Sequence, residues 1–327
     1  MEPTAVPHPQ EAEYDDLLGL WADLEAGLST LLLRPRRVAE FPRKVRQYDR
    51  WIQDLLQHDM DTGLYLLVQL ASNRSLGYSS AHALVCAVLC HVAAAELALP
   101  AHERESLVGA ALTMNLAMTA LQNQLAEQAG RPSAAQQVQI DTHGRVGSLL
   151  LRELGVDDTA WLQAVAAHHE RTAPGPLQEL APAQRLVRVL QVVDRYGALL
   201  SPRRTRAACS VVETVRALLS RDDGAREPVG MALVRAIGLC PPGSFVRLDS
   251  GEVALVLRRG SRPSQPLLAI VLGRGGERLR VPRLRRAACG GPSIRSAITP
   301  DLLRDRVRLN HQALLRQALQ ADREHRL

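Results

Sequence analysis

Aromatic residues make up 3% of this 327-residue chain, with two Phe, three Trp and five Tyr. An interior of that composition is filled by Leu, Val and Ala, which favours helices over sheets rich in aromatic and β-branched residues. Lysine is almost missing: Lys44 stands alone among 40 basic residues, the rest being Arg. Set against 34 acidic residues, they leave a formal charge of +6 and a pI of about 9.4. That surplus permits an anionic partner. No stretch interleaves basic with aromatic residues, however, so nucleic acid is not an expected partner. The five cysteines, Cys86, Cys90, Cys209, Cys240 and Cys289, form an odd set without disulfide-framework or zinc-ribbon spacing, which fits a reducing compartment. Uninterrupted apolar runs are also missing, since His82, His91 and Glu96 break the stretch 81–99, and no membrane span is expected. The acidic start, with Glu2, Glu11, Glu13, Asp15 and Asp16, has no basic-then-apolar signal pattern, and a cytoplasmic location is expected.

Pro3, Pro7 and Pro9 make residues 1–10 a loose leader. Residues 11–33 carry Leu17, Leu20, Trp21, Leu24, Leu28 and Leu31 at helical spacing. That apolar face serves either to dock a partner or second copy, or to pack on its own domain. An Arg-rich stretch, 34–50, with Pro35 and Pro42, links it to helical segments at 51–57 and 62–71, and a turn signal follows at 73–77. Successive helices are then expected over 80–98, 102–129, 134–154, 158–169, 182–200, 207–219 and 228–237, with caps such as Ser133 and Asp157 or Asp158. No repeat of fixed period occurs. After Pro241-Pro242-Gly243 the pattern alternates through Phe245, Val246 and Leu248, then Val253, Leu255 and Leu257, across Asp249-Ser250-Gly251. This predicts a hairpin, with 267–272 as a third strand. Residues 274–292, rich in Arg and Gly, read as an irregular, solvated surface, and 300–325 as a last helix.

The most distinctive local sequence is His168-His169-Glu170-Arg171 at a helix end. Neighbours on a helix point about 100° apart, so adjacent histidines serve two ions on either side more readily than one ion together. His82 and His143 lie on other helices, and Asp194 interrupts the apolar run 186–200. A carboxylate in such a run is costly unless a cation or hydrogen-bond donors meet it. Helices converging on these positions would assemble a divalent-metal site. His82, Cys86 and Cys90 share a helix face, but their apolar neighbours Leu84, Val85, Val88 and Leu89 favour packing as the role of the cysteines. The literal pair His58-Asp59 reads as a surface loop.

Tyr78-x-x-x-His82, the helical run 110–118, His143 with Gly147, His168-His169-Glu170, Asp194-Arg195-Tyr196 and Pro241-Pro242-Gly243-Ser244 follow one another along the chain, and in this order they resemble the HD-GYP domain family. Tyr78-Ser79-Ser80-Ala81-His82 is similar to its Tyr-x-x-x-His opening, and residues 110–118, Ala-Ala-Leu-Thr-Met-Asn-Leu-Ala-Met, align with its Ala-Ala-Leu-Leu-His-Asp-Ile-Gly-Lys. Thr142-His143-Gly144-Arg145-Val146-Gly147 resembles its His-Pro-x-x-Gly segment, His168-His169-Glu170 its HHE element, and Val193-Asp194-Arg195-Tyr196 its Val-x-Asp-x-Tyr helix. Cys240-Pro241-Pro242-Gly243-Ser244 and Gly251-Glu252 are similar to the Tyr-Pro-Pro-Gly-Ser and Gly-Glu that close the family domain. The resemblance covers roughly half the chain, from Tyr78 to Leu257.

It implies a mainly α fold, an HD-domain-like helical bundle with a small C-terminal β-hairpin region and flanking helices. Residues 1–72 would form an N-terminal helical segment, 73–257 the HD-GYP-like domain, and 258–327 a strand, a basic loop and a terminal helix. Family members hydrolyse cyclic di-GMP with two or three iron or manganese ions. Carried over, His82 and Asp194 would hold the first metal and His143, His168 and His169 the others. The departures are broad. Met114 and Asn115 replace the His-Asp pair, Met118 the Lys that faces phosphate, and Gly197 a second Asp, while Thr172-Ala173-Pro174-Gly175-Pro176 replaces the Gly-Tyr-Pro loop. Two divalent ions about 3.5–4 Å apart need a bridging anion, and Asn115 is neutral. The expectation is therefore a degenerate signalling protein without cyclic di-GMP hydrolysis, holding one divalent iron or manganese ion or none. Cyclic di-GMP or a related nucleotide, a signalling protein, or a second copy in a homodimer are the partners this implies. Arg203 and Arg204 are candidate phosphate contacts. The alternative is an active metal-dependent phosphodiesterase in which Gln122, Gln124 or Glu127 supplies the missing ligands.

Overall fold

The computed structural model describes residues 9–72, 77–171, 175–200, 227–260, 265–287, 293–298 and 307–326, with the single positions 219, 262 and 303. The expected helix 207–219 lies outside them apart from Leu219, as do Arg203, Arg204 and residues 172–174. The fold is mainly helical with one small antiparallel sheet, as the sequence implies.

The first helix, α1, spans Pro9–Leu33, and α2 spans Phe41–Ser72. Leu17, Trp21, Leu24, Leu28 and Leu31 of α1 are buried against α2 and α3 (Tyr78–Glu96), so this face belongs to the chain's own core. Leu20 departs from that pattern and is 41% exposed on the outer face. The segments expected at 51–57 and 62–71 are one helix that begins at Phe41 and bends at Asp59 (φ −154°, ψ 95°). Pro42 sits in the first turn, where a missing N–H costs nothing. Asp59 is not surface loop but buried. Its Oδ1 accepts from the amides of Asp61 and Thr62 at 3.1 Å each, which caps the second half of the helix. Arg258 donates to both carboxylate oxygens, at 2.8 and 3.1 Å, and neutralises the buried charge.

Helix α3 is long and apolar enough to cross a bilayer by length and composition, which the sequence reading excluded. Most of it is buried inside the chain, as its all-round hydrophobicity requires in a core helix. The single helix expected at 102–129 is broken into α4 (Ala101–Thr113), a 3-10 turn (Leu116–Met118) and α5 (Thr119–Glu127). At the break the Met118 amide bonds to the Asn115 carbonyl three residues back, the tighter 3-10 pattern. Next come α6 (Ala134–Glu153), α7 (Thr159–Ala167), α8 (Pro182–Leu200) and α9 (Pro228–Ile237). Ser133 and Gln136 form a reciprocal capping box on α6, and Asp158 rather than Asp157 caps α7. One apolar core runs from Leu17 to Ile237 through these helices.

Strands β1 (Phe245–Leu248), β2 (Val253–Arg258), β3 (Leu267–Leu272), β4 (Arg278–Arg286) and β5 (Ile294–Ile298) form an antiparallel sheet in the order β4-β3-β2-β1-β5. Strand β4 corrects the expectation of irregular chain: its Arg residues flank Leu279 and Leu284, which pack on the sheet. The last helix, α10, starts at His311 rather than near residue 300, with Asn310 Oδ1 accepting from the Ala313 amide at 3.1 Å. It covers one face of the sheet, and the hydroxyl of buried Tyr65 in α2 lies 2.6 Å from His311 Nδ1.

Candidate metal centre

His168 closes α7 and His169 follows it, while His143 lies inside α6. The two helices approach closely because position 144 is Gly: a Cβ there would stand 2.9 Å from the Val165 carbonyl oxygen and 3.0 Å from that of Ala166. The three rings gather as a result, with centroids 4.9 Å apart for His143 and His168, 5.0 Å for His143 and His169, and 4.1 Å for His168 and His169. One nitrogen from each ring lies within 4.8 Å of the others. His143 and His168 are buried, and His169 is exposed. The adjacent pair thus shares one group, although a 100° separation on a regular helix would have sent its members to different ions. His168 is where α7 ends, and that frees His169 from helical geometry.

The tautomers follow from the acceptors around the rings. His143 Nδ1 lies 2.5 Å from the Ile140 carbonyl oxygen and His168 Nδ1 lies 2.7 Å from that of Val165, so each Nδ1 carries the proton and donates. Both Nε2 atoms are then lone-pair bearers, and they face each other at 3.0 Å. Burial lowers the pKa of His143 and takes that of His168 to about 4, so neither ring brings a second proton at neutral pH. Two converging lone pairs repel unless a cation lies between them. Neutral imidazoles with their other nitrogen fixed on a carbonyl are the donors a divalent transition metal takes, so the residues fit such an ion.

A second group forms where α3 meets α8. His82 Nε2 lies 2.9 Å from Asp194 Oδ1 and 3.6 Å from Cys86 Sγ. The His82 side chain is 1% exposed and that of Asp194 18%, so the carboxylate alone reaches solvent. Burial by itself would raise the Asp194 pKa, but the hydrogen bond and field of His82, with the fields of His168 and His169, hold it down at about 2. It is an anion at neutral pH. Burial, then the charge of Asp194, pushes the Cys86 thiol well above its ordinary range. Among the described residues His82 Nδ1 is buried without a hydrogen-bond partner, and the ring stacks on Tyr78 at 5.7 Å. Position 197 is again Gly, and a Cβ there would meet Cys86 Sγ at 2.9 Å and His82 Cε1 at 3.3 Å.

All five expected ligand positions therefore lie in two groups, {His143, His168, His169} and {His82, Cys86, Asp194}. Met114 does not join them and is fully buried in the apolar core, while Asn115 and Met118 are half-buried at the break after α4. Gln122, considered as a substitute ligand, is committed to Ser79, whose hydroxyl donates to its Oε1 at 2.7 Å, and Gln124 and Glu127 are exposed.

Among curated proteins, the chain is 30% identical over 102 residues to a cyclic di-GMP phosphodiesterase of Pseudomonas aeruginosa. That likeness points to the HD-superfamily phosphohydrolases. It covers 30% of this chain and 25% of the relative, so the match spans about a quarter of that protein's length. No family model and no solved structure matches the chain.

Sequence reasoning missed two residues that hold this arrangement together. Gln191 on α8 donates through Nε2 to the carbonyl oxygens of Glu170 at 2.5 Å and Ala167 at 3.5 Å, which ties the histidine turn to the helix of Asp194. Arg188, one turn earlier and buried, donates to the Gly175 carbonyl at 2.6 Å and to Glu227 at 3.3 Å. The available signal was polar residues at 188, 191 and 194 on the core side of an apolar helix. Cys86 also gained a second character: it packs in the core, as expected, and stands beside His82 as well.

Proposed function

We propose that the chain is a signalling module of HD-superfamily phosphohydrolase type. It holds a divalent ion at the imidazole group of His143, His168 and His169, and binds cyclic di-GMP or a related nucleotide without hydrolysing it. The superfamily likeness supports the nucleotide class and divalent-metal dependence. The facing lone pairs of His143 and His168 support the ion.

The observation that carries the loss of hydrolysis is the scarcity of anions. Asp194 is the one carboxylate in the two groups among the described residues, and its Oδ1 is bonded to His82. A hydrolytic pair of ions about 3.5–4 Å apart needs a shared anion, and the aligned position is the neutral Asn115. Residues 143, 168 and 169 would supply nitrogen donors, and a bound metal would supply Lewis acidity toward a phosphate oxygen. What this chain's own residues do is orient the rings of His143 and His168 through the Ile140 and Val165 carbonyls, hold the turn that carries His169 through Gln191, and exclude water from His143 and His168.

The experiment is titration of the purified chain with cyclic di-GMP in a calorimeter, beside product analysis after incubation with manganese or iron. Binding heat without linear dinucleotide product is the expected outcome. Turnover that disappears in His168→Ala and His169→Ala would overturn the non-hydrolytic part, and absence of binding heat would overturn the nucleotide part. An active metal-dependent phosphodiesterase is the second reading, favoured by three imidazole donors within 4.8 Å of one another.

A further inference from the structure

We propose that His82, Cys86 and Asp194 form a thiolate-containing site for a borderline-soft divalent cation of the zinc class, separate from the imidazole group. The family resemblance assigns His82 and Asp194 to a metal but assigns no sulfur, and a hard ion such as manganese(II) favours carboxylate and imidazole over a thiolate. The inference rests on reading these helices as a metal-holding HD-type core.

Three observations carry it. His82 and Cys86 are one helical turn apart on α3, the i, i+4 spacing that sets two donors on one face, and Asp194 closes the third side from α8. A tetrahedral zinc with nitrogen at about 2.05 Å and sulfur at about 2.3 Å holds those atoms roughly 3.6 Å apart. His82 Nε2 and Cys86 Sγ stand at 3.6 Å, and the donor atoms of all three residues lie within 4.8 Å of one another.

Second, the proton count leaves the cluster short. His82 Nε2 carries either a proton or a lone pair, so it can satisfy the Asp194 oxygen at 2.9 Å or the Cys86 thiol at 3.6 Å, but not both. A cation satisfies all three at once. Third, Gly197 allows the sulfur to sit where it does, since a Cβ there would come within 2.9 Å of Sγ. The Asp that the family carries at this position would collide with Cys86, so the thiol on α3 and the glycine on α8 fit each other.

On loading, the Sγ–H bond is exchanged for a sulfur–cation bond and the proton passes to buffer. The dication is then balanced by one thiolate and one carboxylate. A neutral complex of that kind adds little repulsion at the imidazole group and needs no bridging anion.

Cobalt(II) substitution tests the site in the full chain, because a thiolate ligand to cobalt gives a near-ultraviolet charge-transfer band that imidazole and carboxylate do not. The expected result is this band at saturating cobalt, its removal by zinc, its loss in Cys86→Ser, and its persistence in Cys90→Ser, one turn along the same helix. Zinc affinity should fall by about tenfold or more in Cys86→Ser. A wild-type chain that takes up cobalt without the band, or a band that survives Cys86→Ser, overturns the proposal, and the wild-type spectrum decides even if the variant fails to fold. Calorimetry with cyclic di-GMP on the same protein separates the readings: binding heat without the band refutes the thiolate site alone.

Discussion

The substitution Gly144→Ala sets two effects of opposite sign against each other. Inside a helix, Ala is favoured over Gly by about 1 kcal/mol, so propensity alone predicts a gain. The new methyl group, however, would stand 2.9 Å from the Val165 carbonyl oxygen, 3.0 Å from that of Ala166 and 3.4 Å from His168 Cε1. Two of those atoms are backbone at the end of α7 and cannot rotate aside, so α6 must move by several tenths of an ångström. Overpacking of this kind costs roughly 1–3 kcal/mol. The balance is a net loss of roughly 1 kcal/mol, and the 3.0 Å approach of His143 Nε2 to His168 Nε2 widens with the displacement. Gly19 on the exposed face of α1 is the control, because a Cβ there meets nothing within 4 Å. Urea unfolding should show Gly19→Ala stabilised by up to about 1 kcal/mol and Gly144→Ala destabilised, with metal affinity reduced in the second variant alone. Equal stabilisation of both would refute the close-approach argument, and with it the account of why these histidines meet.

Three further outcomes are expected. Burial lowers the pKa of His143 and takes that of His168 from 6.5 to about 4, so between those values the unfolded chain binds more protons than the folded one. The contribution of these two histidines to folding stability should therefore be constant above pH 6.5 and fall as pH drops toward 4, by roughly 3 kcal/mol for His168, and replacing His168 by Gln should flatten that slope. Asp59→Ala takes from buried Arg258 one of its anions, leaving among others Asp322 at 2.8 Å and Asp61 at 3.7 Å, and removes the cap at the bend of α2. The loss should be about 3–5 kcal/mol by denaturant titration, and a change under 1 kcal/mol would show the network to be dispensable. Tyr65→Phe removes the contact with His311 and should cost about 1 kcal/mol, read as faster amide exchange confined to α10 and β2.

Much of the architecture was legible in residue order. The 3.6-residue period delivered α3, α6, α8 and α9 nearly to their ends, the alternation after Gly243 delivered the first three strands, and local chemistry delivered the caps at Ser133 and Asp158. The misses have physical causes. Strand β4 was hidden because its pairing with β3 recruits Arg side chains that composition reads as loop, and the break at Met114-Asn115 because no Gly or Pro marks it. Asp59 looked like loop because its partner Arg258 lies 199 residues away.

The site divides in the same way. Residue types and their order along the chain, through the family resemblance they carry, were enough to name His82, His143, His168, His169 and Asp194 as candidate donors. Folding alone sorted them into two groups, turned the Nε2 atoms of His143 and His168 toward each other, and brought Cys86 against His82 where Gly197 leaves room. Helix periodicity is a local property that survives in a string of letters. The approach of α6 to α7, and of α3 to α8, depends on missing side chains at Gly144 and Gly197, and that becomes visible only when the opposing helix is in place.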